Sequence, residues 1–332
     1  MDIKDIDSTG VTNVSAQLNS YFASLPSGSI VDLVSGGLYR CDQTITLTKR
    51  FDLIIRGNEA TILTNDPTGD GTTVAAPSKK ARSRAHLRFS GCQNVTVDNL
   101  FIRGANPFGG LGDSAYNSAL EGQHGFHVVD LSNGVTISDC RVTDVYGDFG
   151  YAGKRAANVA FLSLYGRRNG RQGISVTDAD DVSIIECDLS DMRRTAIDLE
   201  PNTTKNIVQR VTIQRNHFGP NRLTWVSAGG KGHVNDILVS DNIVDAPANV
   251  YVKAGDGTRR SNWTLVNNTS THNVGNPQGA AWKFTAVDGI SAHGNNIMLQ
   301  PNRNMYLIGV TDCTSVDVWG NLTPGGIGQV KP

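Results

Sequence analysis

Two acidic residues lie two positions apart in the stretch Ala196-Ile197-Asp198-Leu199-Glu200. Ile197 and Leu199 alternate with them, which is the period-two pattern of a strand with one buried face. Asp198 and Glu200 are then expected to point outward together, with Cα atoms about 6.5–7 Å apart. Glycoside hydrolysis uses two carboxyl groups near one bond, one as acid and the other as base or nucleophile. The spacing therefore makes Asp198 and Glu200 candidate catalytic residues.

Cationic and aromatic side chains are expected around this pair on the same outward face, as a mixed-charge groove suited to a sugar chain. The predicted substrate-binding residues are Arg168, Arg171, Arg193, Arg194, Tyr251 and Lys253. A lyase or epimerase would instead require a base, for which Lys253, Tyr251 and His233 are candidates. It would also require a cation beside a uronate carboxylate, which Arg171 or Arg194 could supply. The carboxylate pair favours a hydrolase over a lyase.

Two alternatives remain open for the same residues. Stacked acidic and basic side chains can simply pair across strands and solvate the sheet, or they can bind a polysaccharide without cutting it. His124 and His127 precede a strand and have no obvious partner in the sequence. They are expected to be ordinary surface residues.

The elements that would position these residues are strands of a short repeat. Its unit is apolar-x-apolar, followed three positions later by a residue that is usually Asn or Cys. The copies begin at Leu53, Val95, Val135, Val182, Val211, Ile237, Trp263, Ile290 and Val316. The last five gaps are 29, 26, 26, 27 and 26 residues, a period typical of a β-solenoid. The earlier gaps of 42, 40 and 47 residues indicate single coils with long loops, or two coils with one degenerate copy. A second strand in each coil is predicted at 173–176, 196–199, 250–253 and 282–284.

The sixth position of the repeat predicts a buried ladder. It holds Asn58, Leu100, Cys140, Cys187, Asn216, Asn242, Asn268, Asn295 and Asn321. Stacked strands lie about 4.8 Å apart, so equivalent Asn amides can hydrogen-bond along the stack. This pairing satisfies polar groups that are costly to bury alone. Cys140 and Cys187 are expected to be inert packing thiols. The odd count of five cysteines and the lack of Cys-x-x-Cys argue against a disulfide framework and against a metal site.

The ends of the chain differ from the repeat. Residues 13–25 predict an amphipathic helix that covers the first coil, with Val14, Leu18, Phe22 and Leu25 on one stripe. Asn13 is a suitable N-cap, and the helix stops before Pro26. The predicted organisation is a capping segment over 1–30, a β-helix over 31–322 and an irregular tail over 323–332.

Composition excludes several classes of function. The formal net charge is −1, so nucleic acid is not an expected partner. No apolar run reaches the roughly 20 residues that span a bilayer, and the acidic start at 1–7 does not resemble a secretory signal. Neither a metal nor another cofactor is predicted.

The repeat, the Asn ladder and a helix followed by Gly-x-x-Tyr at 36–39 resemble the pectin lyase-like superfamily. The resemblance covers nearly the whole chain and implies an all-β fold, a single-stranded right-handed parallel β-helix with an N-terminal capping helix. Its enzymes' signatures do not carry over. Positions 170–172, 193–195 and 231–233 read Gly-Arg-Gln, Arg-Arg-Thr and Lys-Gly-His where polygalacturonases have catalytic motifs. Segments 168–176 and 196–202 are more similar to uncharacterised β-helix proteins of actinobacteria and their phages.

The resemblance leads to two functional hypotheses. The first is a phage tail or tailspike-like virion protein, a homotrimer or a partner of other tail proteins, that binds a host surface polysaccharide and in one form of the hypothesis cleaves it. The second is a secreted bacterial polysaccharide-degrading enzyme, either a glycoside hydrolase or a lyase or epimerase acting on uronates. The first places the protein in the virion and the second outside the cell. A purely structural role is a third possibility.

Overall fold

The chain forms a coil of about 12 turns whose strands make three parallel sheets, A, B and C. This structure is a computed structural model, and it describes residues 2–255, 257–272, 279–299, 305–325 and 328–331. Each turn visits the sheets in the order B, A, C, and every strand pairs with its equivalent in the adjacent coil. The predicted all-β parallel β-helix is therefore confirmed.

Each sheet is made of strands that follow one another in chain order, and the strands counted here are those of the described residues. Sheet A contains ten strands: Thr9–Asn13, Leu38–Arg40, Thr61–Leu63, Phe101–Arg103, Arg141–Thr143, Tyr165–Arg167, Asp188–Ser190, His217–Phe218, Ile243–Pro247 and Thr269–His272. Sheet B contains eleven: Ile30–Asp32, Phe51–Arg56, Gln93–Asp98, Asn133–Ser138, Ala156–Leu162, Ala179–Ile185, Ile207–Gln214, His233–Ser240, Arg260–Val266, Val287–His293 and Thr314–Trp319. Sheet C contains eleven: Ile45–Thr48, Leu87–Ser90, Phe126–Val129, Gly150–Ala152, Ile174–Val176, Ile197–Leu199, Val226–Ala228, Val250–Lys253, Ala280–Thr285, Tyr306–Thr311 and Gly328–Lys331.

The core is a column of inward-facing side chains from all three sheets. In the sheet B strand Ala179–Ile185, Val182 and Ile184 are fully buried while Ser183 between them is only partly covered. Burying each such aliphatic side chain contributes roughly 1.5–3 kcal/mol. The apolar-x-apolar unit of the repeat is thus the sheet B strand of each coil.

The long gaps in the repeat have two different origins. Gln93–Asp98 pairs directly with both Phe51–Arg56 and Asn133–Ser138, so the gaps of 42 and 40 residues are single coils with loops at 64–86 and 104–125. The gap of 47 residues holds an extra coil through Ala156–Leu162, in which Val159 and Phe161 are the buried pair. Both arrangements that the sequence allows therefore occur.

The buried Asn ladder is present over the last five positions. The side-chain amides of Asn216, Asn242, Asn268 and Asn295 each donate to the side-chain oxygen of the next member, ending at Asn321, over 2.8–2.9 Å. Each amide also donates to a backbone carbonyl of the preceding coil, as Asn216 does to Ile184. These bonds supply the pairing that a buried amide requires.

Two details of the ladder correct or complete the prediction. Asn58 does not join it, because the pairing of Thr61 with Phe101 places Ala60, not Asn58, beside Leu100. Asn58 is half-exposed and donates to the carbonyl of Leu33.

All five cysteines are free, and burial raises the pKa of the Cys140 and Cys187 thiols to about 12, as expected for packing residues.

An α-helix over Ser15–Ser24 covers the first coil with Val14, Leu18 and Phe22 buried, as predicted. Asn13 is not its N-cap, since Val14 holds that position. Asn13 ends the first strand, and its side-chain oxygen accepts bonds from the backbone and hydroxyl of Ser15. A short α-helix at Lys79–Arg82 and 3-10 turns at Ile3–Asp5 and Asp113–Ala115 complete the helical elements of the described chain. None of these helices is long and apolar enough to cross a membrane.

The paired strands extend beyond the predicted limits of 31 and 322. Thr9–Asn13 pairs with Leu38–Arg40 and so belongs to the coil, not to a separate capping segment. At the other end, Gly328–Lys331 pairs with Tyr306–Thr311. The expectation of an irregular tail was therefore wrong for this strand.

The loop over 104–125 lies across the corner between sheets A and C. Asp113 in this loop contacts Arg193 and Arg222, at 2.8 and 2.5 Å, although these residues follow strands three and four coils further on. The backbone carbonyl of Leu111 also accepts a bond from Arg222. The loop thereby builds a wall beside the outer face of sheet C.

Candidate functional site

A cleft of about 590 Å³ opens where this wall meets sheet C. The loop contributes Glu121, the corner turns contribute Arg171, Arg194 and Leu223, and sheet C provides the floor. The remaining lining residues are Gln172, Thr195, Asp198, Glu200, Asn202, Thr224, Ser227, Gly229 and Tyr251. The cleft therefore contains both candidate catalytic carboxyl groups.

Asp198 is the middle residue of the strand Ile197–Leu199 and points outward from the coil, as the alternation predicted. It is nonetheless only 6% exposed. Gln172 donates to one carboxyl oxygen at 2.7 Å, and the Ser227 hydroxyl donates to the other at 2.5 Å. Burial raises the pKa of Asp198 despite these bonds. Asp198 thus points outward from the coil but is covered by these two side chains.

Glu200 is the more accessible carboxyl group of the pair. Its side chain is 37% exposed, and one oxygen lies 3.7 Å from a terminal nitrogen of Arg171. Burial and the nearby Asp198 carboxylate raise the pKa of Glu200, although Arg171 and Arg194 oppose the shift. Both carboxyl groups of the pair therefore have a raised pKa, for which burial is the main cause.

Arg171 is held in place by three carboxylates. One terminal nitrogen contacts both oxygens of the fully buried Asp148, at 2.8 and 3.0 Å, and Nε lies 3.5 Å from Glu121. Burial alone would lower the pKa of Arg171, but Asp148, Glu121 and Asp198 raise it above the ordinary value. Burial acts to raise the pKa of Asp148, but Arg171 and His124 together hold it below its ordinary value. Arg171 thus carries a fixed positive charge at the edge of the carboxyl pair.

The other predicted binding residues divide into two groups. Arg194 and Tyr251 line the cleft. Arg168 and Arg193 do not, because their guanidinium groups are paired with Asp144 and Asp113, each at 2.8 Å.

Lys253 and His233 also lie outside the cleft. Lys253 is exposed on a sheet C strand two coils beyond Asp198. His233, a candidate lyase base, begins a strand of sheet B. Among the cationic and aromatic candidates, the structure brings only Arg171, Arg194 and Tyr251 to the carboxyl pair.

The expectation that His124 and His127 are surface residues was wrong. His124 is buried; its ring stacks on Tyr151 with centroids 4.7 Å apart, and its Nδ1 accepts the backbone N–H of Asp148 at 3.2 Å. His127 pairs in register with Tyr151 and is partly covered, and burial lowers its pKa. The two histidines therefore help to build the support behind Asp148. No cluster of metal-ligating side chains occurs in the part of the chain that the structure describes.

Sequence reasoning missed several residues of the site. Ser227 and Asp148 could have been found from the coil register, because Ser227 pairs with Asp198 and because Gly150 pairs with Ile174, which places Asp148 level with Gln172. Glu121 and Tyr116 could not, since they lie on the 104–125 loop, whose path has no period. The Tyr116 hydroxyl donates to a carboxyl oxygen of Glu121 at 2.9 Å, and the centre of the Tyr116 ring lies 5.3 Å from the Arg194 guanidinium carbon.

Comparisons with known proteins support the fold. No protein-family model and no curated protein sequence matches the chain. Among solved structures, the surface adhesin PfbA of Streptococcus pneumoniae matches with a TM-score of 0.67 and 14% identity, over 100% of both chains. Endo-xylogalacturonan hydrolase of Aspergillus tubingensis matches with a TM-score of 0.67 and 14% identity, over 98% of this chain and 93% of that one.

A phage protein is also similar in structure. The tailspike protein of an Escherichia coli bacteriophage, solved with a pentasaccharide, matches with a TM-score of 0.64 and 10% identity, over 98% of this chain and 62% of that one. Identities this low establish architecture alone. The chain therefore shares the right-handed parallel β-helix fold of these structures.

Proposed function

We propose that the cleft binds a polysaccharide and that Asp198 and Glu200 hydrolyse a glycosidic bond within it. The observation that carries this proposal is the pair of carboxyl groups with raised pKa in one cleft, beside the fixed charge of Arg171. A glycosidase requires one protonated and one ionised carboxyl group on either side of the scissile bond. Asp198 and Glu200 supply two carboxyl groups in one cleft, and their raised pKa favours the protonated form that the general acid needs.

The floor of the cleft suits an extended ligand. Ser175, Asp198, Ser227 and Tyr251 follow one another in register across adjacent strands of sheet C. Adjacent strands are about 4.8 Å apart, so a chain of sugar rings lying along the coil axis passes over several of them. The ring of Tyr251 lies at the end of this row. Glu121 on the wall and Leu223 on a corner turn limit access from one side.

The test is incubation of the purified protein with bacterial envelope, plant and algal polysaccharides. Hydrolysis releases new reducing ends without absorbance near about 235 nm, because it forms no unsaturated uronate, and Asp198→Asn or Glu200→Gln should reduce the rate by about 10²–10⁴-fold. Asp245→Asn is a matched control, because this carboxylate is hydrogen-bonded to His217 and Thr271 on sheet A, away from the cleft. Full activity in the Asp198→Asn, Glu200→Gln double variant would show that these two residues are not the catalytic carboxyl groups.

Binding without cleavage is a second candidate function. It is favoured by the hydrogen bonds from Gln172 and Ser227, which engage both oxygens of Asp198. In that case a polysaccharide binds, no reducing ends appear, and Asp198→Asn binds as tightly as the wild type. If both reducing ends and absorbance near about 235 nm appear, the protein is a lyase, and Tyr251 becomes the candidate base in the cleft.

The proposed setting is a cell surface, reached as part of a phage tail or as a secreted protein. The support is the presence of a phage tailspike and a bacterial surface adhesin among proteins of the same fold. For the virion form of this proposal we expect a homotrimer. Light scattering on the purified chain tests it: a mass of three chains is expected, and a monomer at micromolar concentration would contradict it.

A further inference from the structure

The charged groups that a sugar would meet first in the cleft are acidic. The Glu121 and Glu200 side chains are 44% and 37% exposed, whereas the Arg171 side chain beside them is 16% exposed. Asp198 and Asp148 add two more carboxyl groups at and behind the floor. The two glutamates are therefore more exposed to a ligand than Arg171, and the two buried aspartates add negative charge beneath them.

The arginines near the cleft are already engaged. Arg171 contacts the carboxylates of Asp148, Glu121 and Glu200. Arg194 lies against the Tyr116 ring. It is also close enough to Glu200 for its positive charge to oppose the rise in the pKa of that carboxyl group. Arg260 is fully buried under the floor and donates to the backbone carbonyl of Gly229, out of reach of a ligand.

We infer that the cleft selects neutral or amino sugars and discriminates against uronic acids. A uronate carboxylate would lie beside Glu121 and Glu200 and would have to compete with them for Arg171. Placing like charges together in a partly dry site opposes binding, whereas hydroxyl groups can accept from the arginines and donate to the carboxylates. This inference rests on the proposed function, since it names the substrate class of the same cleft.

The first experiment compares each uronate-containing polysaccharide with its carboxyl-reduced counterpart, which has the same linkages and no charge. Dissociation constants are measured at low ionic strength, and the neutral form should bind at least about tenfold more tightly. Added salt should narrow the difference, because it screens the repulsion. Tighter binding of the uronate form would overturn the inference while leaving the proposed function intact. Failure of every neutral and charged polymer to bind would overturn the proposed function instead.

A second experiment measures the potential of the cleft without any sugar. Asn202, an exposed lining residue, is replaced by Cys and treated with cationic, neutral and anionic methanethiosulfonate reagents. The ratio of the cationic to the anionic rate should exceed that of a free thiol in solution, and it should fall when Glu121→Gln is added. Gln at 121 can still accept the bond from Tyr116, so it changes the charge with little change in contacts. A ratio equal to or below that of the free thiol would overturn the inference, whichever polysaccharide is bound.

Discussion

The Asn ladder offers a prediction whose size can be worked out from individual contacts. In Asn268→Ala, the protein loses the bonds that the side-chain amide donates to the Val239 carbonyl and to the Asn295 side chain, both 2.9 Å long. It also loses the acceptor for the backbone N–H and for the side-chain amide of Asn242, at 3.1 and 2.9 Å. All of these groups lie at a buried turn where water cannot replace the missing partner.

The four losses add up to a large effect for one side chain. Each donated hydrogen bond contributes about 1 kcal/mol net, and each buried N–H left without its partner costs about 1–3 kcal/mol. We therefore expect the free energy of unfolding to fall by about 4–8 kcal/mol. Asn235→Ala is the matched control: this half-buried Asn lies on the outer face of sheet B and accepts one bond, from Ser261. It should cost at most about 1 kcal/mol.

The assay is guanidinium denaturation, followed in parallel by circular dichroism and by tryptophan fluorescence. Amide hydrogen exchange at Asn242 provides a local measurement, because its N–H should lose protection before its neighbours do. If Asn268→Ala costs no more than Asn235→Ala, the ladder bonds are not a net source of stability, and the reasoning from buried unpaired groups is refuted.

Three further predictions concern titration and thiol reactivity. Burial raises the pKa of Asp198. The stability that protonated Asp198 contributes is therefore complete below its unfolded pKa of about 3.9 and is lost as pH rises through the higher folded pKa. Asp198→Asn should raise the Tm at pH 8 and reduce the decline of the Tm with rising pH. The bond that the His217 ring donates to Asp245 raises the pKa of His217, so Asp245→Asn should lower that pKa in an NMR titration. The stability that His217 contributes should be complete below its unfolded pKa of about 6.5 and should disappear above its raised folded pKa. An unchanged pKa of His217 in Asp245→Asn would contradict the role given to this hydrogen bond. Cys313 is the one partly exposed cysteine of five, so Ellman's reagent should modify at most one thiol in the native protein and five after denaturation.

The fold could be predicted from the sequence because the same apolar pattern recurs in each coil. Val182 and Ile184 occupy the same strand positions as Val211 and Ile213, and the two pairs lie in register on adjacent strands. The sequence left the coil through Val159 open as a degenerate copy: its sixth position holds Leu164, and a leucine there marks a turn less clearly than Asn or Cys, although the Val95 copy has one too in Leu100.

The site was less predictable, for a physical reason. The outward direction of Asp198 follows from local alternation, but its burial depends on Gln172 and Ser227, which belong to neighbouring coils. Glu121 enters from a loop without periodicity, and nothing in its local sequence indicates that it meets Arg171. Local pattern therefore fixes where a side chain points, whereas contacts between coils decide what surrounds it.

The loop over 104–125 changes how the coil should respond to force. In an ideal solenoid each coil touches only its neighbours, so unfolding can proceed one coil at a time. Asp113 bridges this order by contacting Arg193 and Arg222, which lie three and four coils away. A pull on the C-terminal end should peel coils singly until it reaches Arg222. From there inward, the coils at Arg222 and Arg193 must also release their contacts with the loop, so more force is expected along this section, beside which the candidate site lies.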